Sequence, residues 1–269
     1  MAVGAGKVKN MPHKVCYLST GIMDTAFDSQ VCPLLESGLQ SGFDLIHFAF
    51  GPFRSQMTDR YLHKKDELES TGIKSLHFQQ GPPISRVFLR MDKRRMYPFL
   101  RKWWGGKERL VIHCRGHLNA YRGLLLQEMN PALIAVIADL RGAVSDEVGQ
   151  GRGLLAKGFG RYLMNFYQQI ERQVVERADA ILCVSNAFKD FLQTRYDVKN
   201  LMIIPTYVDT SRFRFSPSLR QLYREKLRIV DRTVLAYSGG VAPWQRIEDT
   251  IDLFIELKEN AADMFMLFL

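Results

Sequence analysis

The chain has 269 residues, with 37 Lys and Arg against 28 Asp and Glu, and is 46% hydrophobic and 24% charged. Those fractions belong to folded globular proteins and exclude a disordered, collagen-like or coiled-coil chain; the length allows one large domain or two ordinary ones. The longest strongly apolar run, residues 132–138, is far shorter than the ~20 residues a membrane-crossing helix needs, so a transmembrane chain is excluded.

Residues 1–12 read as a flexible tail; Lys7 and Lys9 stand there without an apolar run of signal-peptide length, and a cytoplasmic location is expected. Residues 15–19 form an apolar strand, followed by Gly21 and a helical pattern over 25–39. Residues 44–50 and 74–79 read as strands, each closed by glycine and proline. After a basic stretch, 110–114 is a strand and 118–129 a helix that stops before Pro131. Residues 132–138 hold no polar side chain, as in a strand buried on both faces of a parallel sheet. A glycine-rich charged loop covers 140–153, and Leu163, Tyr167, Ile170 and Val174 then recur at helical spacing. Residues 180–184 form a strand, Ser185 or Asn186 caps the next helix, and 201–204 is a strand ended by Pro205.

Strands alternating with helices predict an α/β fold with a doubly wound parallel sheet. The alternation breaks over 206–217 and restarts with a strand at 233–237, the turn Ser238-Gly239-Gly240, a helix over 245–259 and a strand-like run to Leu269. The predicted organisation is therefore a first domain over 13–207, a linker and connecting helix over 208–231, and an incomplete second domain over 232–269.

The positive charge is concentrated. Nine basic residues against Asp92 and Glu108 give residues 86–109 a net +7 of the chain's +9. Arg90, Lys93, Arg94, Arg95, Arg101 and Lys102 are interleaved there with apolar side chains that include Trp103 and Trp104. This pattern suits an element resting on an anionic membrane, where each cation contributes about 1 kcal/mol and Trp lies at headgroup level. A core-packed amphipathic helix with a solvated basic face fits it too, and nucleic acid is the third partner weighed and set aside.

Cys16, Cys32, Cys114 and Cys183 show no CxxC spacing and read as reduced thiols. Gly4, Gly6 and Lys7 lack the spacing and preceding strand of a phosphate loop, and no GxGxxG follows a strand. His113 and Cys114 are neighbours on a strand and point to opposite faces, so no metal site is expected. In open α/β sheets ligands bind beyond the carboxyl ends of the strands. Arg115 and His117 stand at one such end; Asp139, Arg141, Asp146 and Glu147 follow another. The alternatives there, a structural His117 and a loop salt bridge, stay open. Ser238-Gly239-Gly240 opens a helix whose free N–H groups favour an anion, with Arg246 adding a full charge.

Residues 178–185 (ADAILCVS), 204–209 (IPTYVD) and Phe213 together resemble the stretch that closes the N-terminal domain of GT-B glycosyltransferases, family four in particular. Tyr237-Ser238-Gly239-Gly240 with Pro243-Trp244-Gln245 resembles the first strand, phosphate turn and helix of that fold's C-terminal domain; Asp139-Leu140-Arg141-Gly142 with Asp146-Glu147 resembles a subset of the family. The resemblance implies two Rossmann-like domains, a nucleotide-sugar donor and retaining transfer to a saccharide or lipid-linked acceptor in surface polysaccharide or glycolipid synthesis. No cofactor and no metal are implied. His117 and Asp139 become the expected catalytic residues; Gly21, Arg115, Arg141 and Glu147 the acceptor contacts; Gly239, Gly240, Gln245 and Arg246 the donor-phosphate contacts. Glycine and glutamine stand at Gly240 and Gln245 where the family often has arginine and lysine, which leaves Arg246 as the cation. The acidic motif of the family would lie beyond Leu269. The chain is thus expected to be a truncated transferase, peripheral on the inner membrane face, or else a non-catalytic fragment or one half of a split enzyme whose other half is a separate chain.

Overall fold

The structure is a computed structural model that describes residues 14–23, 26–52, 58–81, 85–150, 157–207, 210, 213–241, 245–261 and 263–269. The tail expected over 1–12 lies outside the described residues, as do Val208, Asp209, Pro243 and Trp244. The chain divides into two compact units, Met1–Ser145 with Arg161–Tyr207, and Asp146–Gly160 with Val208–Leu269.

In the first unit seven strands form one parallel sheet: β1 (Lys14–Thr20), β2 (Asp44–Gly51), β3 (Lys74–Gln79), β4 (Leu110–Arg115), β5 (Ile134–Asp139), β6 (Ala180–Cys183) and β7 (Leu201–Ile203). Their spatial order is β3-β2-β1-β4-β5-β6-β7. The chain works outward from β1 to one edge, then returns to lay β4 on its other side, in register Leu18 opposite Cys114. The order of a doubly wound sheet reverses there, and its ligand crevice lies beyond the strand ends at that point.

Helices cover both faces of the sheet. On one side a π-helical turn (Phe27–Val31), α1 (Cys32–Gln40) and α2 (Asp59–Ser70) pack Phe27, Val31, Leu35, Tyr61 and Leu68 against Tyr17 and Ala49. On the other side α3 (Arg86–Trp104), α4 (His117–Gln127), α6 (Lys157–Arg177) and α7 (Asn186–Arg195) contribute to the larger core with Leu18, Phe48, Ile112 and Val136. A short α5 (Val144–Gln150) replaces part of the loop expected over 140–153. In β5 Ala135 and Ile137 are only partly buried, which corrects the expectation of a strand closed on both faces along its whole length. Close packing rather than polarity selects Gly123 on α4, because a Cβ there would lie 2.5 Å from the Cys114 sulfur.

The basic stretch is a true amphipathic helix. Leu89, Asp92, Met96, Leu100 and Trp104 recur every three or four residues and face inward. The Ser85 side chain caps the start by accepting from Val87 N–H, and Gly105 ends the helix in the left-handed region. The four cysteines are free thiols.

His47 is fully buried on β2 and ties three strands together, with Nε2 2.9 Å from Ser19 Oγ and Nδ1 2.9 Å from Ser75 Oγ. Burial, with a smaller contribution from His77, lowers its pKa to about 3. The unfolded chain takes up that proton near pH 6.5, so stability present above about pH 6.5 is lost as pH falls toward 3. Between pH 7.5 and 5 the expected loss from this group is about 2 kcal/mol, read by urea denaturation. His47→Asn should flatten that slope, and a wild-type stability independent of pH in this window would contradict the assignment.

The second unit holds β8 (Thr233–Tyr237) and β9 (Met264–Phe268) as a parallel pair, with α8 (Pro217–Lys226) and α9 (Ile247–Asn260). Neither helix has a buried residue, and Ile251, Leu253 and Ile255 are exposed. Ile247 and Phe254 on α9 are only partly buried.

Candidate functional site

At the carboxyl ends of β1, β4 and β5 the first unit gathers the polar residues that the sheet core rejects. Gly21 follows β1 with φ 69°, a conformation that favours glycine, and its N–H donates to Phe50 O at 2.6 Å. Gly116 follows β4 with φ 82° and donates to Asp139 O at 2.8 Å, so the chain turns sharply into α4. Asn119 on α4 closes the gap between the strands, donating to Thr20 Oγ1 at 3.0 Å and to Arg115 O at 2.9 Å.

Asp139 is the hub of this cluster and is 2% exposed. Arg141 Nε lies 2.7 Å from its Oδ1 and Nη2 donates to its Oδ2 at 2.9 Å. Arg115 Nη1 and His113 Nε2 lie 3.8 and 3.6 Å from Oδ2. Burial alone would raise this carboxyl, but the contacts from His113 and Arg141 outweigh it and hold the group below the usual carboxylate range. Two guanidiniums therefore share one carboxylate, which leaves positive charge to spare at the crevice. Arg115 is further oriented by Gln30 of the π-helical turn, to which its Nη2 donates at 2.6 Å. Tyr17 packs beside His113, with ring centroids 4.7 Å apart. Burial first, and Asp139 second, push its hydroxyl well up, so it stays protonated.

The cluster brings together Gly21, Arg115, Asp139 and Arg141, and corrects two expected roles. Asp139 is an ionised, saturated anchor rather than a free acid or base. His117 does not stand over the crevice: it is 3% exposed, at the first position of α4, with Nε2 3.1 Å from Glu171 Oε2 on α6. Tyr196 donates to the other oxygen of Glu171 at 2.8 Å, so the histidine belongs to a buried interhelical pair. Glu147 lies on α5, among the residues of the second unit. Sequence reasoning missed Gln30, Asn119 and Tyr17, for which spacing gives no signal.

In the second unit the expected donor-side residues sit together on one turn. Tyr237, the last residue of β8, donates from its hydroxyl to Gly240 O at 2.6 Å. A Cβ at Gly240 would lie 2.7 Å from Gln245 Oε1, so the Gln245 side chain folds against the turn. Arg246 precedes α9 with φ 50° and is 75% exposed on its side chain, but its guanidinium pairs with Asp249 in the first turn of α9. The expected free cation is thus engaged, and Glu248 adds a second acid beside the helix start.

The basic helix needs one correction as well. Trp104 is 2% exposed and donates to Glu108 O at 2.8 Å, so it is core and not available to a membrane. Trp103 is half-buried and donates to Asp44 Oδ1 at 3.2 Å. Lys93 pairs with Glu128, Arg95 donates to Gln79 O, and the Arg101 guanidinium lies 5.8 Å from the Trp104 ring. The outward face carries Val87, Arg90, Met91, Arg94, Phe99 and Lys102, with Met91 and Phe99 each 51% exposed. No described helix is long and apolar enough to cross a membrane, and no described group of His, Cys, Asp and Glu could hold a metal.

The family described as Glycosyltransferase Family 4 matches residues 71–212, more than half the chain and most of the crevice. The chain belongs to Glycosyltransferase Family 4. A comparison with curated proteins finds no match. Among solved structures this family 4 chain resembles Anabaena HepE, solved in complex with UDP-glucose, with TM-score 0.62 and 15% identity over 95% of this chain and 60% of that one. It resembles the sucrose-phosphate synthase of Thermosynechococcus elongatus with TM-score 0.57 and 14% identity, over 95% of this chain and 70% of that one. A glycosyltransferase from Rickettsia africae gives TM-score 0.57 at 11% identity, over 95% and 68%. At these identities the likeness establishes the GT-B fold of the family 4 chain, which spans about 60% of the length of HepE.

Proposed function

We propose that this chain takes part in retaining transfer of a sugar from a nucleotide sugar to a saccharide or lipid-linked acceptor, without a metal, in the synthesis of surface polysaccharide or glycolipid on the inner face of a membrane. Membership of family 4 over residues 71–212 is the observation that carries this reading. HepE, which shares the fold, was solved with UDP and with UDP-glucose, in keeping with a nucleotide-sugar donor here.

Gly21 and Gly116 keep the crevice floor free of side chains, so an acceptor can approach the backbone. Arg115 and Arg141, held by Asp139, orient the acceptor by charge-assisted hydrogen bonds. On the donor side the amides of the turn at Gly239 and Gly240 and the guanidinium of Arg246 would stabilise the departing diphosphate, an electrostatic form of catalysis. Arg246 must leave Asp249 to do so. With Asp139 saturated and His117 buried, the chain's contribution is positioning and charge stabilisation rather than proton transfer from either group.

The test is acceptor-dependent release of nucleoside diphosphate by the whole chain, across a panel of nucleotide sugars with a lipid and oligosaccharide extract as acceptor. Release that needs acceptor supports the proposal. No release and no donor binding by titration calorimetry rejects it, and retained acceptor binding would then favour a non-catalytic fragment or a split enzyme.

A further inference from the structure

A pocket of about 620 Å³ lies at the opposite end of the sheet from the crevice, where β2 and β3 begin and α3 ends. The volume is in the range of small-molecule sites. Its floor is Ile46 and Ile73, both nearly fully buried, and its walls are Leu76, Phe99 and Trp103. The polar groups within it are already occupied. Ser75 Oγ is bound to His47 Nδ1, the Trp103 N–H donates to Asp44, and Glu69 pairs with Lys65 at 3.7 Å. The lining side chains therefore favour a largely apolar ligand.

The rim has the opposite character. Lys74 and Lys102 are exposed and make no ion pair among the described residues. Phe99 and Lys102 belong at once to the pocket wall and to the outward face of α3, where Arg90 and Arg94 are also without an ion pair among the described residues. An apolar cavity under a cationic rim, continuous with a basic and apolar helix face, is complementary to a molecule with a hydrocarbon tail and an anionic head.

We infer that this pocket takes one acyl chain of an anionic phospholipid, with the headgroup phosphate on Lys74 and Lys102, so that α3 is held on the membrane by an inserted lipid as well as by surface charge. The inference rests on the membrane part of the reading above and is independent of the transfer reaction. Binding a chain that already lies in the bilayer costs no apolar exposure, while each cation at the surface contributes about 1 kcal/mol.

Tryptophan fluorescence of the whole chain tests it, with vesicles of brominated-chain phosphatidylcholine alone or of the same lipid mixed with brominated-chain phosphatidylglycerol. Brominated anionic vesicles should quench a component of the emission that Trp103→Phe lacks, and neutral vesicles should not. The surface double variant Lys74→Glu/Lys102→Glu, checked for folding by circular dichroism, should weaken vesicle binding at least tenfold. Vesicle binding without quenching of Trp103 would reduce the site to surface adsorption and overturn the inference, as would equal quenching by neutral vesicles. A dimer in sedimentation equilibrium, with Trp103 buried in it and no vesicle binding, would assign the pocket to a second copy instead. Quenching with no sugar transfer would leave this inference standing and sink the transfer reading alone.

Discussion

Asp92→Ala should lower stability by about 3–5 kcal/mol, an effect out of proportion to a lone acid in a basic stretch. Arg122 is 1% exposed, and its Nε donates to Asp92 Oδ2 at 2.8 Å. Its Nη1 donates to Asn119 Oδ1 at 2.8 Å, and the guanidinium carbon lies 4.0 Å from the Phe50 ring centroid. Burial lowers the Arg122 pKa while Asp92 opposes that shift, as expected of a charge kept in the core by one partner. Without Asp92 the guanidinium is left buried and uncompensated, which is the costly case; the intact pair itself need not stabilise the fold. Chemical denaturation should show the loss in the single variant. Asp92→Leu with Arg122→Met should recover most of it, because a packed apolar pair avoids both desolvation penalties. A single variant within about 0.5 kcal/mol of wild type would show that Arg122 is not held as described.

Arg115→Ala and Arg141→Ala should each reduce kcat/KM for acceptor-dependent transfer by roughly 10- to 100-fold, corresponding to about 1.5–3 kcal/mol for a charged hydrogen bond. Both side chains are about one-fifth exposed and stand at the crevice, so folding should survive their loss. The decrease should appear chiefly in KM for the acceptor, with the KM for the donor unchanged. Asp139→Asn should behave differently. It removes the charge that holds both guanidiniums, so their orientation and the local packing loosen together, and stability should fall along with activity. Arginine variants with a wild-type acceptor KM would place the acceptor elsewhere.

The sheet was legible because its strands are short, apolar and punctuated by glycine and proline. Residues 233–237, read as a strand, coincide with β8, and 74–79 with β3. α2 was not legible: among its twelve residues only Tyr61 and Leu68, seven apart, are buried, too sparse a stripe for periodicity to register. The basic helix could be read in more than one way because tryptophan suits a core and a headgroup region alike; only packing assigns Trp104 to the core. At the crevice, sequence located the strand ends and hence Arg115, Asp139 and Arg141. It misplaced His117 because the direction of a helix-start side chain depends on which neighbour, here Glu171, supplies the partner. Gln30 and Asn119 come from segments distant in the chain and acquire meaning only through the β1–β4 reversal.

The most direct measurement is a proton NMR time course of the whole chain with a nucleotide sugar, acceptor-bearing anionic vesicles and excess chelator. The proposed retaining, metal-free transfer predicts an acceptor-dependent product whose anomeric coupling matches that of the donor, formed at an undiminished rate without free metal. A product of inverted configuration, or transfer that the chelator abolishes, would contradict it.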